Sequence, residues 1–303
     1  MNTTLFVRDF FGNEPRFVFY LLTGLELKRF AGGTGVPTLN RNDVHSEPVL
    51  VPTDVNEQRR IVAILDKAFE GIATAKANAE KNLHSARHFF DSQLQRIFAK
   101  RCDGWHETNL GAVAAIKGGK RVPKGYKLLA EDTGYPYLRV ADFGLHGTID
   151  TSDLRYVSPE VHAEIKQYII TSKDLYISIA GTIGRTGIIP AELEGANLTE
   201  NACRLVFKSG VCNRFVYYYT RTPAFIEQAG LNTRTAAQPK LALSRLATIR
   251  LPMPKPEVQA SIVVTLDTIA DRVKTLEGIY ESKAVALREL KRSILHQVFS
   301  GAL

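Results

Sequence analysis

The stretch EQRRIVAILD at residues 57–66 occurs a second time, in the form VQASIVVTLD, at residues 258–267. Gln, Ile, Val, Leu and Asp recur in register, and the two copies lie 201 residues apart. In both copies apolar residues are spaced three and four positions apart, which is the spacing of one face of an α-helix. The repeat therefore predicts two equivalent helices in one chain of 303 residues.

Both helix starts open long heptad patterns. Apolar residues recur in alternating steps of four and three, a pattern typical of helices that pack along their whole length against another helix. The predicted contact positions are Ile61, Leu65, Ile72, Ala79 and Phe89 on the first helix, and Ile262, Leu266, Ile269, Val273, Leu276, Tyr280, Leu287, Leu290 and Ile294 on the second. The first helix is rich in Ala and the second in large residues, which favours packing of the two on each other, in one molecule or in a dimer. The alternative is two independent surface helices.

The repeat extends upstream of the long helices. PRFVFYLL at 15–22 is similar to NRFVYYYT at 213–220, and LVP at 50–52 is similar to LPMP at 251–254. The repeating unit is thus predicted to be an apolar helix, a loop, a short strand, a proline and then the long helix. Residues 105–212 precede the second unit and have no counterpart before the first.

The sequence pattern between the two long helices is no longer that of long helices. YPYLRVADF at 135–143 and DLYISIAGTIGRTGIIP at 174–190 are β-rich runs interrupted by glycine, and SPEVHAEIK at 158–166 has the capping Ser and early Pro of a short helix. The predicted fold class is α+β, with a mixed α/β domain over residues 105–255. The first long helix is expected over residues 55–100, the second over residues 256–303, and residues 1–50 resemble the end of another such domain.

The middle domain carries most of the positive charge of the chain. The net charge is +8, and residues 105–255 hold 19 Lys and Arg against 13 Asp and Glu. Four of its loops combine cations with Gly, Thr, Asn or Gln, the residue types that contact phosphates and base edges in DNA complexes. The loops are IKGGKRVPKGYK (116–127), AGTIGRTG (180–187), NLTENACR (197–204) and LNTRTAAQPKL (231–241). A solvated turn is the alternative for each loop alone, but together the four favour DNA.

No catalytic or cofactor site is predicted. The glycine-rich runs match neither the Gly-x-x-x-x-Gly-Lys-Ser/Thr nor the Gly-x-Gly-x-x-Gly spacing, and His84 with His88 has no third metal ligand. Methyltransferase sequences of the Asn-Pro-Pro-Tyr type are missing. The chain also lacks a run of ~18 apolar residues and a signal-peptide core, so a cytoplasmic location is expected.

At this point the chain resembles the specificity (S) subunit of type I restriction–modification systems. The resemblance lies in LFVRDFFGNEPRFVFYLL, YPYLRVADF, DLYISIAGTIGRTGIIP, ANLTENACRLV, TAAQPKLALSRLATIRLPMPKPEVQ and the final helix ending ILHQVFSGAL, which together cover nearly the whole sequence. It implies that residues 105–255 are a target recognition domain that reads one half of a split DNA site. It also implies that the two long helices pack as an antiparallel coiled coil and set the spacing between recognition domains.

The resemblance implies partners as well. A specificity subunit has no enzymatic activity; it recruits modification (M) subunits and, through them, the restriction (R) subunit. S-adenosylmethionine, ATP and Mg would then be needed only on those partners. The family pattern has two recognition domains and this sequence has one complete domain, which motivates the hypothesis of a half-length subunit that homodimerises. The competing hypotheses are an enzyme, either a nuclease or a methyltransferase, and a coiled-coil scaffold that binds protein rather than DNA.

Twelve residues are the candidates for DNA contacts. Lys117, Lys120, Arg121 and Lys124 are expected to contact phosphates, and Arg139, Arg185, Asn201, Arg234 and Gln238 are expected to read bases. Thr199, Thr235 and Lys240 complete the set.

Overall fold

The computed structural model describes residues 5–32, 38–100, 104–231, 233–234 and 239–300, with the backbone alone for Thr233 and Arg234. In this part of the chain the helices are α1 (Pro15–Gly24), α2 (Arg41–His45), α3 (Val55–Ala99), α4 (Leu110–Val113), α5 (Pro159–Ile165), α6 (Asn213–Thr220), α7 (Pro223–Leu231), α8 (Leu243–Leu246) and α9 (Pro256–Phe299). The strands are β1 (Ala31–Gly32), β2 (Thr38–Leu39), β3 (His106–Asn109), β4 (Ala114–Gly118), β5 (Pro136–Leu138), β6 (Arg155–Tyr156), β7 (Ile169–Ile170), β8 (Leu175–Ser178), β9 (Thr186–Gly187), β10 (Ala196–Leu198), β11 (Ala202–Phe207), β12 (Thr233–Arg234), β13 (Lys240–Leu241) and β14 (Arg250–Met253).

The chain forms two compact units. The first unit comprises Met1–Arg87 and Val273–Leu303, and the second comprises His88–Arg272. Both long helices contribute to both units, because the division falls within α3 and within α9. The α+β class predicted from the sequence is confirmed.

In the first unit, α3 and α9 pack antiparallel. Val62 and Leu65 near the start of α3 share a core with Leu295 near the end of α9 and with Phe17 of α1. Further along α3, Arg87 pairs with Glu277, 2.7 Å away. Residues with higher numbers on α3 contact residues with lower numbers on α9. The antiparallel packing that the family resemblance implies is therefore confirmed.

The predicted contact positions differ in burial. Leu65, Ala79 and Leu266 are buried, whereas Ile61, Ile72, Ile262, Ile269, Val273, Tyr280, Leu287 and Ile294 are half-buried. Leu276 and Leu290 remain 39% and 48% exposed. A straight α-helix drifts by about 20° per heptad against a strict seven-residue repeat, so a heptad list slowly rotates away from the buried face.

The same drift explains why one predicted contact position is displaced. Phe89 is 52% exposed, whereas Phe90 is only 4% exposed. After Ala79 the inward-facing residues continue through Phe90, Leu94 and Phe98. Phe90 and Phe98 pack on Tyr218 and Phe215 of α6, at ring-centroid distances of 6.2 and 5.3 Å. The prediction for Phe89 is therefore wrong by one residue.

The second unit is built on two four-stranded sheets. Their strand orders are β6-β5-β10-β7 and β4-β11-β8-β9, and β3 pairs antiparallel with β14 beside them. The core residues of the sheets include Leu138, Tyr176 and Leu198. Helix α5 begins as the sequence predicts, with the Ser158 hydroxyl accepting from the Val161 amide and Pro159 in the first turn. Pro223 separates α6 from α7, as expected.

The sequence repeat is matched by side-chain geometry. In the first unit, Tyr20 of α1 donates to Asp66 of α3, and in the second unit Tyr218 of α6 donates to Asp267 of α9. An arginine four residues before each tyrosine pairs with the same aspartate: Arg16 at 2.7 Å and Arg214 at 2.5 Å. The two copies thus dock their small helices on the long helices through the same three side chains.

The glutamine that occurs in both copies of the repeat makes equivalent hydrogen bonds in each copy. Gln58 and Gln259 are each 1% exposed. The Gln58 side chain accepts from the Glu14 amide and donates to the Pro52 carbonyl, each at 2.8 Å. The Gln259 side chain accepts from the Cys212 amide and donates to the Pro254 carbonyl, each at 2.9 Å. Each glutamine therefore connects two segments: the one that precedes its long helix and the one that precedes the small helix.

Candidate nucleic-acid interface

Main-chain hydrogen bonds in the second unit bring the candidate loops together. The Lys120 amide donates to the Leu198 carbonyl at 2.8 Å, and the Ile179 amide donates to the Asn201 carbonyl at 2.8 Å. The Leu241 amide in turn donates to the Ile179 carbonyl at 2.9 Å. The turn at 199–201 therefore lies between the loop after β4, the loop after β8 and strand β13. We call residues 117–127, 179–185, 199–201 and 240–241 the loop cluster.

The end of β4 and the loop after it supply most of the positive charge of the cluster. Lys117, Lys120, Arg121 and Lys124 all expose their side chains. Within the described residues, no carboxylate lies within 4.0 Å of the ammonium groups of Lys117, Lys120 and Lys124. The three ammonium groups are thus available to an external anion, and that of Lys120 also lies 5.8 Å from the centroid of the Tyr168 ring.

A glycine sets how closely this loop approaches the turn at 199–201. A Cβ atom on Gly119 would lie 2.1 Å from the Thr199 carbonyl oxygen and 2.4 Å from the Leu198 carbonyl oxygen. Both are backbone atoms, so no side-chain rotation could relieve the contact. The neighbouring Gly118 differs, since its Cβ would meet only Leu243, at 3.6 Å.

The turn at 199–201 contains a carboxylate that the sequence analysis did not single out. Glu200 accepts from Arg121 at 2.5 Å and from the Thr199 hydroxyl at 3.0 Å. Burial alone would raise the pKa of Glu200, but these hydrogen bonds lower it below the ordinary value. Thr199 itself is buried, and its amide donates to the Leu138 carbonyl at 3.0 Å. Glu200 therefore stays ionised and fixes the Arg121 guanidinium against the turn.

Tyr137 supports the same loop from below. It is 3% exposed, and its hydroxyl donates to the Lys120 carbonyl at 2.8 Å. Burial raises the pKa of Tyr137 to about 12. The phenol therefore remains a neutral donor across the physiological pH range. Its position in YPYLRVADF gave only a strand signal, so the sequence contained no sign of this contact.

Arg185 and Asn201 lie in the cluster, but Arg185 is tethered. The Arg185 amide donates to the Ser178 hydroxyl at 2.9 Å, and its guanidinium donates to the Phe143 carbonyl. The side chain is half-buried, as is that of Asn201. Their role as base readers stays a prediction.

Arg139 occupies a different environment from the lysines. It follows β5, is 26% exposed at the side chain, and donates to Asp142 at 2.6 Å and to the Asp153 carbonyl at 2.6 Å. Asp142 is only 3% exposed. The guanidinium is thus engaged inside the domain, which favours a structural role over the base contact predicted from the sequence.

This difference gives a stability prediction. Arg139→Ala is expected to lower the free energy of unfolding by about 2 kcal/mol, because the buried Asp142 carboxylate loses its charged partner. Arg155→Ala is the matched control, since Arg155 pairs with the exposed Asp153 and should change stability by less than about 1 kcal/mol. Urea denaturation of both variants measures the two values. Equal losses would refute the structural role of Arg139.

Arg234 and Lys240 lie on the paired strands β12 and β13. Lys240 is exposed, and its backbone forms a bridge with Ala180 of the loop cluster. Arg234 pairs with Lys240 through the backbone. Thr235 and Gln238 lie outside the described residues.

Within the described ranges no group of three His, Cys, Asp or Glu residues has the geometry of a metal site. None of the helices in the described part of the chain is long and apolar enough to cross a membrane.

Comparison with protein families assigns the fold. The family model described as the type I restriction modification DNA specificity domain matches residues 102–282. The chain belongs to this family. The match covers the loop cluster and the first half of α9, so the family resemblance argued from the sequence is confirmed.

Relatives of known designation agree with this membership. The chain is 24% identical over 171 residues to the Type I restriction enzyme EcoBI specificity subunit of Escherichia coli, a match that covers 56% of this chain and 36% of that protein. It is 23% identical over 312 residues to the MjaVIII specificity subunit of Methanocaldococcus jannaschii, with 96% of this chain and 70% of that protein covered. The chain thus spans little more than a third of the Escherichia coli relative and more than two thirds of the archaeal one.

Two solved structures share the fold of this specificity-domain protein. One is a chain from a study of complex assembly and conformational transition in the type I R-M system, with a TM-score of 0.75, 23% identity, and coverage of 94% of this chain and 70% of that one. The other is the HsdS subunit from Thermoanaerobacter tengcongensis, with a TM-score of 0.60, 23% identity, and coverage of 96% and 71%. At this identity the likeness concerns the fold alone.

Proposed function

We propose that this chain is the DNA-binding specificity subunit of a type I restriction–modification complex, and that its loop cluster reads one half of a bipartite DNA target. The observation that carries the proposal is the convergence of the loops. Exposed Lys117 lies at the end of β4, and exposed Lys120 and Lys124 lie on the loop that follows it, which is hydrogen-bonded to the segment that presents Asn201. Cations beside polar groups are the combination that holds a DNA backbone while bases are read.

The loop cluster divides between two kinds of contact. The three lysines act as point charges on flexible stems and suit phosphates, which carry no sequence information. Asn201 and Arg185 of the cluster, together with Arg234 and Gln238 of the sequence 231–241, are the groups able to form paired hydrogen bonds with base edges. Family membership supports DNA binding by this domain, because the family model is that of a DNA specificity domain.

The long helices serve the complex rather than the DNA. In our proposal α3 and α9 set the distance between recognition domains and recruit M subunits, and the R subunit joins through M. The chain itself carries no catalytic step; S-adenosylmethionine, ATP and Mg act on the partners. The complex works in the cytoplasm.

The proposal includes a homodimer. A two-fold dimer would present two copies of the loop cluster and read an inverted repeat. The Ala-rich contact positions of α3 and the exposed Leu276 and Leu290 of α9 support a further helix contact. Light scattering, with and without DNA, should report twice the mass of one chain; a strict monomer in both conditions refutes the dimer.

Salt dependence tests the DNA contact. Lys120→Ala should weaken binding to all DNA sequences alike and reduce the slope of log K against log [salt] by about 0.9, the value for one phosphate contact. Lys173→Ala is the control, because Lys173 is exposed in the same unit but outside the loop cluster. Fluorescence anisotropy at several salt concentrations gives both slopes. Binding that does not depend on salt would favour the protein-binding scaffold instead.

A further inference from the structure

The two repeat copies differ in what covers the aromatic pair at the end of the long helix. In the second unit, Phe98 of α3 packs on Phe215 at a ring-centroid distance of 5.3 Å. Trp105 covers this pair, with its ring 6.4 Å from Phe98 and 6.0 Å from Phe215. Phe98 is buried as a result.

The first unit contains the same pair without a tryptophan. Phe299 of α9 packs on Phe17 of α1 at 5.4 Å, and these residues lie 201 and 198 positions from Phe98 and Phe215. Phe299 remains half-exposed. Gly24 makes room beside it, since a Cβ there would lie 3.3 Å from the Phe299 ring.

The strand next to the tryptophan shows the same contrast. In the second unit β3 follows Trp105 and pairs with β14, with Thr108 opposite Leu251. Leu251 is 1% exposed. Its counterpart in the first unit, Leu50, is 70% exposed, and the described residues place no strand against it.

The half-exposed Phe299 lines an open groove. The groove measures about 940 Å³ and lies between the end of α1, the segment at 47–49 and the last turns of α9. Its apolar lining includes Leu25, Val49 and Leu295, and Arg288, Lys291 and Arg292 lie along α9. In the second unit the strand after Trp105 carries Glu107, which pairs with Arg250 at 3.3 Å. Glu26, Glu47 and Glu289 also line the groove, and Arg292 pairs with Glu26. Arg288 and Lys291 are therefore the cations that remain to pair with an acidic residue of the occupant.

We propose that this groove binds an extended segment of a second polypeptide, in which a tryptophan is followed by a β-strand with an acidic residue. The tryptophan covers Phe299 as Trp105 covers Phe98. The strand adds to residues 49–51 as β3 adds to β14, so backbone hydrogen bonds give affinity and the aromatic pocket gives selectivity. The proposal depends on the internal repeat and is independent of DNA binding.

A peptide that copies residues 104–113, blocked at both ends and carrying a dye at its C-terminus, is the probe. We expect saturable binding to the full chain by fluorescence anisotropy. The peptide with Trp105→Ala, and the chain with Phe299→Ala, should each weaken binding by more than about tenfold, as expected for an aromatic anchor. The chain with Leu231→Ala, a change at a side chain 78% exposed in the second unit, should bind as the unchanged chain does.

Hydrogen exchange locates the peptide. Protection of the amides at 49–51 upon binding supports the assignment. Protection at 250–253 instead would show that the peptide displaces the chain's own β3, and that result overturns it. Equal binding of the Trp105→Ala peptide, or no saturation, also overturns it. Self-association of the chain that the peptide abolishes would identify the occupant as a second copy and would overturn the assignment to a separate polypeptide.

Discussion

Gly119→Ala is expected to abolish sequence-specific DNA binding, whereas Gly118→Ala is expected to leave it unchanged. The added methyl group on residue 119 would lie 2.1 Å from one carbonyl oxygen and 2.4 Å from another, so the loop of Lys120 and Arg121 must move away from the turn at 199–201. On residue 118 the nearest atom is a leucine methyl at 3.6 Å, an ordinary contact. We expect a loss of stability of about 1–3 kcal/mol for Gly119→Ala.

The measurement is an anisotropy titration of both variants with a selected target and with unrelated DNA. Gly119→Ala should bind both DNAs equally weakly, because the phosphate-binding and base-reading groups no longer share one surface. Urea denaturation on the same samples shows what fraction of each variant is folded. Full specificity in a folded Gly119→Ala variant would contradict the placement of these loops at the DNA.

Gln259→Leu is expected to have the largest effect on stability. Leucine has a similar volume but cannot bond the Cys212 amide or the Pro254 carbonyl, and these partners are left buried. Each unpaired buried group costs about 1–3 kcal/mol, so we expect the free energy of unfolding of the second unit to fall by about 2–4 kcal/mol. Gln95→Leu on the exposed face of α3 is the control and should change it by less than about 0.5 kcal/mol.

Thermal and urea unfolding of the two variants give the comparison. Gln58→Leu extends it, because Gln58 makes the matching bonds in the first unit. Similar losses for Gln58→Leu and Gln259→Leu would show that the two glutamines contribute equally to stability as well as making the same contacts. A neutral Gln259→Leu would contradict the role assigned to this side chain.

The long helices could be predicted from the sequence because their information is periodic and repeated. The copies at 57–66 and 258–267 identified two equivalent helix starts, and the heptad steps placed Leu65 and Leu266 in the buried face. The prediction failed at Phe89, where the 3.6-residue period of the helix had drifted from the heptad and Phe90 faces inward instead.

The sequence predicted which loops form the candidate interface, but not which partners their side chains contact. Composition marked the four loops, and backbone bonds through Leu198, Asn201 and Ile179 connect the parts of them that the structure describes. The partners of individual side chains depend on contacts distant in sequence, such as Arg121 with Glu200, 79 residues away. In the sequence, Arg139 and Lys120 are both cations in candidate DNA-binding segments. Only the folded chain shows that Arg139 pairs with a buried carboxylate.

Selection of bound sequences from a random DNA pool tests the central claim most directly. The pool is offered to the full chain with its modification subunit, and in parallel to the Arg234→Ala and Lys120→Ala variants. We expect one enriched sequence element for the unchanged chain, loss of preference at a single base position for Arg234→Ala, and weaker recovery of the same element for Lys120→Ala. A recovered pool as random as the starting pool would contradict the assignment of this chain as a subunit that reads DNA sequence.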